Sequence, residues 1–173
     1  LFFHMARKKI AEKKVDPIVK RGVVLCSGPS LKNHFGKQFN ADIVVAVNYA
    51  ITCDIRPTHY CFGDVDGIGM HLKTWPGAIT VSGYRRANPD VDWRSFESEM
   101  PESPAWSMLA AIGFCAAQGC TEIDLYGVDH SGNVDALGNP VPSGNEARWT
   151  REANDLARWV EYYGKKGVVI TRK

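Results

Sequence analysis

The sequence predicts a three-layer α/β domain: a mostly parallel sheet of about six strands with helices on both faces. Three observations carry this. The strand-sized runs are apolar at nearly every position instead of alternating, as expected of strands buried on both sides. Segments with helical character separate them, so that strands and helices take turns along the chain. The chain has 173 residues, 45% of them hydrophobic, which suits one core and leaves enough apolar surface to offset the entropy of ordering.

The elements follow in order. Residues 5–20 read as a basic helix, and residues 1–21 as a basic leader to a single domain over 22–173. Residues 23–27 (Val-Val-Leu-Cys-Ser) form a buried strand closed by Gly28-Pro29-Ser30, and Ser30-Leu31-Lys32 open a short helix. Residues 42–48 (Asp-Ile-Val-Val-Ala-Val-Asn) are a second strand. Residues 58–64 are a third, after the break at Pro57, and 77–82 a fourth. Residues 85–104 are polar and interrupted by prolines, as in a long loop. Residues 107–118 are small and apolar all round, the mark of a buried helix, with Gly119 as its left-handed cap. Residues 122–127 supply a fifth strand and 128–145 a loop rich in Gly, Asn, Asp and Pro. Residues 146–163 form an amphipathic helix with Trp149, Leu156, Trp159, Val160 and Tyr163 on its apolar side, and Lys166–Thr171 a last strand.

Charge and cysteine usage narrow the function classes. The net charge of +2 argues against a nucleic-acid binder with a basic surface. The charge is uneven: Arg7, Lys8, Lys9, Lys13, Lys14, Lys20 and Arg21 against Glu12 and Asp16 give residues 1–21 a net +5, leaving the rest at −3. That leader is either a solvated helix or an anchor for an anionic partner. No apolar run approaches the ~20 residues of a transmembrane helix. Leu1–Met5 is too short for a signal-peptide core, and a first residue of Leu suggests a fragment or a processed chain. Five cysteines, without a C-x-x-C pair, read as free thiols in a reducing cytoplasm, Cys26 and Cys61 among them as small core residues. A homo-oligomer is compatible with all of this.

In open parallel sheets ligands bind beyond the carboxyl ends of the strands, which singles out four segments. Ser27, Gly28, Pro29 and Ser30 either cradle a phosphate, with Gly28 allowing close backbone approach and the next helix offering free N–H groups, or simply start that helix. Asn48, at the end of an apolar strand, either caps a turn or recognises a base or ribose. Asp64 and Asp66 are two carboxylates two residues apart, suited to a hard cation that bridges phosphates, or else to a helix cap and a turn. Asp129 would share a rim with Asp64, and His130 beside it is either a solvated loop histidine or a general base. His4, His34, His59 and His71 show no constellation. Ser107 either caps the buried helix or presents its hydroxyl to a ligand. Arg148, Trp149 and Arg151 open the last long helix, where Arg148 could neutralise phosphate charge; surface exposure is the plainer reading, above all for Arg151.

The run Val-Val-Leu-Cys-Ser-Gly-Pro-Ser-Leu (23–31) resembles the Gly-x-Gly-Pro-Ser-Leu loop of bacterial family-42 sialyltransferases. It is equally similar to that loop in the related proteins resembling hydroxymethylpterin pyrophosphokinase, which include the motility-associated flagellin glycosyltransferases. Val-Ala-Val-Asn (45–48) resembles their second strand. Trp106-Ser107 and the stretch from Gly119 to Asp129 resemble their Thr-Ser-Gly helix and Gly-x-x-x-Ile-x-Leu-x-Gly-x-Asp strand. The resemblance spans residues 22–170 and implies a Rossmann-like sheet. It implies nucleotide phosphates held by Ser27, Gly28, Pro29 and Ser30, with the nucleotide contacted by Asn48 and Ser107. Cys26 stands in place of the first Gly and Met108 in place of the Gly of Thr-Ser-Gly. Residues 146–150 (Glu-Ala-Arg-Trp-Thr) lack the histidine base that the sialyltransferases carry there, and His130 lies too early to be that residue. Asp64-Val65-Asp66-Gly67 resembles the Asp-x-Asp motif of the pyrophosphokinases. The expectation is a nucleotide-activated transferase, glycosyltransferase-like with a nucleotide-sugar donor of the CMP type and a small-molecule or glycan acceptor. The alternatives are an ATP- and magnesium-dependent pyrophosphokinase and a non-catalytic nucleotide-binding adaptor domain.

Overall fold

Consecutive apolar side chains drive a strand into the middle of a sheet, because both faces must then be covered. The central strand β1 (Arg21–Leu25) obeys this: Val23 and Leu25 are buried on one face and Val24 on the other. The computed structural model describes residues 19–62, 79–81, 100–102, 104–141 and 145–173. β1 is flanked by β2 (Ile43–Val47) and β5 (Glu122–Tyr126), both parallel to it, with Val24 opposite Val45 on one side and Leu125 on the other. β3 (His59–Cys61) and β4 (Ile79–Val81) extend the sheet beyond β2, and β6 (Val169–Arg172) extends it beyond β5. The order is β4-β3-β2-β1-β5-β6 and every pair is parallel. The strands are shorter than the apolar runs suggest. Cys26, Ser27, Asn48 and Gly127 all lie past the strand ends, in the connections.

One face of the sheet is covered by two helices. α1 (Ser107–Ala117) is buried continuously from Ser107 through Cys115, because its small and apolar residues let it contact the sheet on one side and the second helix on the other. It ends at Gly119, whose φ of +84° only glycine adopts cheaply, and the Cys120 N–H returns to the Cys115 carbonyl. α2 (Glu146–Gly164) inserts Leu156, Trp159 and Tyr163 into the same core at helical spacing. Trp149, expected on this apolar side, is only half-buried and lines a cleft instead.

The expectation of helices on both sides is met on the opposite face by short elements. Among the described residues that face is covered by two short 3-10 helices, Pro29–His34 and Asn48–Thr52, and by loop residues. Leu31, Ala50, Ile51, Cys53, Ile55 and Ala136 supply the apolar side chains there, against Val23, Leu25, Val44, Ala46 and Tyr60. The short helix expected after Gly28 is thus a 3-10 helix of six residues. The basic helix over 5–20 falls almost wholly outside the described residues, as do the Gly63–Gly67 segment and most of the 85–104 loop.

The chain runs from β1 to β4 toward one edge and then returns to β5 on the other side of β1. The connections after β1 and β5 therefore lead to opposite faces of the sheet, the arrangement that opens a crevice at the carboxyl edge.

Candidate functional site

Two glycines bring the connections after β1 and β5 into backbone contact. The Gly28 N–H donates to the Gly127 carbonyl at 2.9 Å, and the Cys26 N–H donates to the Tyr126 carbonyl at 2.8 Å. A Cβ on Gly28 would lie 2.3 Å from Asp129 Oδ2 and 2.4 Å from the Gly127 carbonyl oxygen. A Cβ on Gly127 would lie 2.0 Å from the Cys26 carbonyl oxygen, and its φ of +68° also favours glycine. Asp129 fastens the same joint from above: the backbone N–H and the hydroxyl of Ser30 both donate to its Oδ2 at 3.0 Å.

This arrangement changes what the Ser27–Ser30 loop has to offer. The N–H groups of Gly28, Ser30 and Leu31 are all spent within the protein, and Pro29 has none. Ser30 points its donors at a carboxylate and does not line the cleft. Of the four residues expected to cradle phosphate, Ser27 alone keeps its N–H and hydroxyl without a partner among the described residues, while its carbonyl accepts from the Ala136 N–H at 2.9 Å.

The cleft beside this joint has a volume of about 850 Å³. It gathers Ser27, Gly28, Pro29, Asn48, Ser107, Asp129, His130 and Arg148 from four separate connections, so most of the expected site residues do meet. Asn48 does not end β2; it begins the next 3-10 helix with φ +49°, a left-handed conformation that Asn tolerates better than most residues. Tyr49 beside it stands 63% exposed at the rim. Ser107 opens α1 as a buried polar residue, and its carbonyl accepts from the Cys61 thiol. Asp64 and Asp66 lie outside the described residues, and no group of three or more metal-ligating side chains occurs among the residues described.

His130 is the most unusual member. It too has a left-handed backbone, φ +50°. Its side chain is 10% exposed, and neither ring nitrogen has a hydrogen-bond partner. Buried polar groups are nearly always paired, so this imidazole stands out. Burial holds its pKa below the ordinary value, assisted by Arg172 and opposed by Glu152 and Asp129. It is therefore neutral near pH 7 and competent to accept a proton. Arg172, whose guanidinium donates to the Val128 carbonyl, fixes the start of this loop.

Sequence reasoning missed Glu152. Its carboxylate is 15% exposed; Oε1 accepts from Arg148 Nε at 2.8 Å, and Oε2 lies 3.7 Å from His130 Nε2. The i,i+4 spacing from Arg148 was visible in the sequence, but on an amphipathic helix that pattern reads as a solvated ion pair. Arg148 is accordingly not free for a ligand in this arrangement: besides Glu152, its guanidinium carbon sits 5.3 Å from the centre of the Trp106 ring. Trp106 in turn donates from Nε1 to Asp155 at 2.8 Å. Cys26, at the cleft wall, is no nucleophile, since burial and the nearby Glu152, Cys61 and Asp129 push its thiol pKa far up. The described lining carries three carboxylates, Asp129, Asp135 and Glu152, against the single guanidinium of Arg148.

No family model matches the chain and no curated protein matches it, so the resemblance to sialyltransferases rests on the motifs alone. Among solved structures, the chain is similar to a thiamin pyrophosphokinase from Geobacillus thermodenitrificans, at 16% identity and a TM-score of 0.46. The match covers 88% of this chain but 59% of that protein, so the chain spans less than two thirds of the protein it matches.

Proposed function

We propose that the cleft beside the joint of the β1 and β5 connections binds a nucleotide, and that the chain transfers a phosphoryl-type group from it to a hydroxyl-bearing acceptor. The observation that carries this reading is His130: a neutral imidazole with neither nitrogen hydrogen-bonded, in the wall of a switch-point cleft. Ser27 and Asn48 contact the nucleotide, Ser107 faces it from the start of α1, and His130 takes the acceptor's proton. Asp129 shapes the site by holding Ser30.

The charge of the lining favours a cation-borne polyphosphate over a metal-free donor. Three carboxylates around one ion-paired arginine repel a bare triphosphate, and a magnesium ion offsets that repulsion. Asp64 and Asp66 are the residues proposed to hold it; the ion would neutralise charge on the transferring group and the leaving phosphate. This charge supports the pyrophosphokinase reading, with ATP and magnesium, over glycosyl transfer from a CMP-type sugar nucleotide.

Calorimetric titration with ATP, CMP, UDP and GDP, with and without magnesium, separates the readings. The expected result is ATP binding that needs magnesium and is lost in Asp64→Asn. Tight CMP binding without metal would return the glycosyltransferase reading. No binding by any nucleotide would remove the site assignment altogether.

A further inference from the structure

A base that accepts a proton in a buried wall needs a counter-charge for the cation it becomes. Resting on the transferase reading above, we propose that Glu152 is the positioning residue of His130. It orients the imidazole, receives the imidazolium and leaves the far ring nitrogen to serve a hydroxyl-bearing acceptor.

The geometry supplies the parts. Glu152 comes from α2 and His130 from the β5 connection, so the pair spans the cleft wall. Their side chains are 15% and 10% exposed. The 3.7 Å between Oε2 and Nε2 is too long for a hydrogen bond, yet a small side-chain movement would close it. Arg148 holds the other carboxylate oxygen at 2.8 Å, which anchors the group and aims Oε2 at the ring. An Nε2–H that faces Oε2 leaves Nδ1 bare. Nδ1 has no solvent contact in this arrangement, so the acceptor must displace the wall over it.

The charged groups that face the imidazole come from three elements. Glu152 lies on α2 with Arg148 behind it, Asp129 adjoins His130 after β5, and Arg172 comes from β6. Cys26, from the β1 connection, stays a neutral thiol. Two carboxylates therefore favour the imidazolium and one guanidinium opposes it.

The step balances without any further reactant. The acceptor's O–H bond breaks and its proton passes to Nδ1. The oxygen's electron pair forms the new bond to phosphorus, the bridging P–O bond breaks, and its electron pair leaves on the nucleoside phosphate. The imidazolium then donates from Nε2 to Glu152.

A proton NMR titration of the free protein tests this, with the His130 signal assigned by its loss in His130→Asn. In Glu152→Gln the midpoint of His130 is expected to shift to lower pH, with His34 and His59 unmoved. Glu152→Asp should bring it part of the way back. An unchanged or raised midpoint in Glu152→Gln would overturn the proposal. Should that variant fail to fold, the Glu152 side-chain carboxyl carbon in the unmodified protein gives a second readout. Its chemical shift is expected to step at the His130 midpoint, and a flat trace there would equally overturn the pairing. Neither measurement includes nucleotide, so failure of the pair and failure of the nucleotide reading are seen separately.

Discussion

Among the described residues, two that are not glycine, Asn48 and His130, hold left-handed backbones, and both face one cleft. Such conformations persist only where the surroundings over-determine them, and they concentrate at functional sites. The glycines beside them act differently, since they let two connections touch. Gly28→Ala places a methyl against the Gly127 carbonyl and Asp129 Oδ2. Urea denaturation is expected to show a loss of about 1–3 kcal/mol, typical of overpacking. Gly127→Ala meets backbone at 2.0 Å and adds an unfavourable φ, so its loss should be the larger. Equal stability of Gly28→Ala and the unmodified protein would mean that the joint is looser than described. At this scale the sequence singled out residues that line one cleft but not all their partners. Ser30 read as a phosphate ligand because its acceptor, Asp129, stands 99 positions away. Glu152 went unseen because its link to His130 crosses from a loop to a helix, a distance that no local pattern encodes.

The strands were legible as elements, since unbroken apolar runs between turn residues have few other uses in a folded chain. Their ends were not. Asn48 continues an apolar run yet turns into a 3-10 helix, because a backbone choice at one residue leaves no trace in hydropathy. The composition of α1 announced its burial, and the 3.6-residue spacing of Leu156, Trp159 and Tyr163 announced the inner face of α2. The covering of the other sheet face was harder to read: segments as short as Pro29–His34 carry too few residues for a period to show. α2 carries both a core face and Glu152, so its docking and the site are mechanically joined. Trp159 is fully buried, and Trp159→Ala is expected to cost about 3–5 kcal/mol in denaturation experiments. The same variant should also disturb the His130 signal. A change in stability with no change at His130 would show that the helix end near Arg148 is held independently of its core face.

For the molecule as a whole, three described histidines, His34, His59 and His130, titrate below their ordinary value of 6.5, each chiefly through burial. The sign follows from proton counting. Below pH 6.5 the unfolded chain binds more protons at these sites than the native one, so acid favours unfolding. Their contribution is fully present above pH 6.5 and is lost as pH falls through that value toward the lower native ones. Denaturation midpoints are expected to fall between pH 7.5 and 5.5, and to fall less in His130→Asn. A midpoint that rises on acidification would contradict the buried neutral imidazole. The parallel sheet and its return to β5 beside β1 place the crevice, and the connections fill it with an acidic lining around one neutral base. The central claim is that this crevice receives a magnesium-bound nucleotide. Backbone amide shift mapping during addition of ATP and magnesium tests it most directly. The expected shifts cluster at 26–30, 48–49, 106–108 and 127–131, with the β6 edge around Val169 silent. Shifts confined to that edge or to the outer face of α2, with the crevice unmoved, would contradict the account.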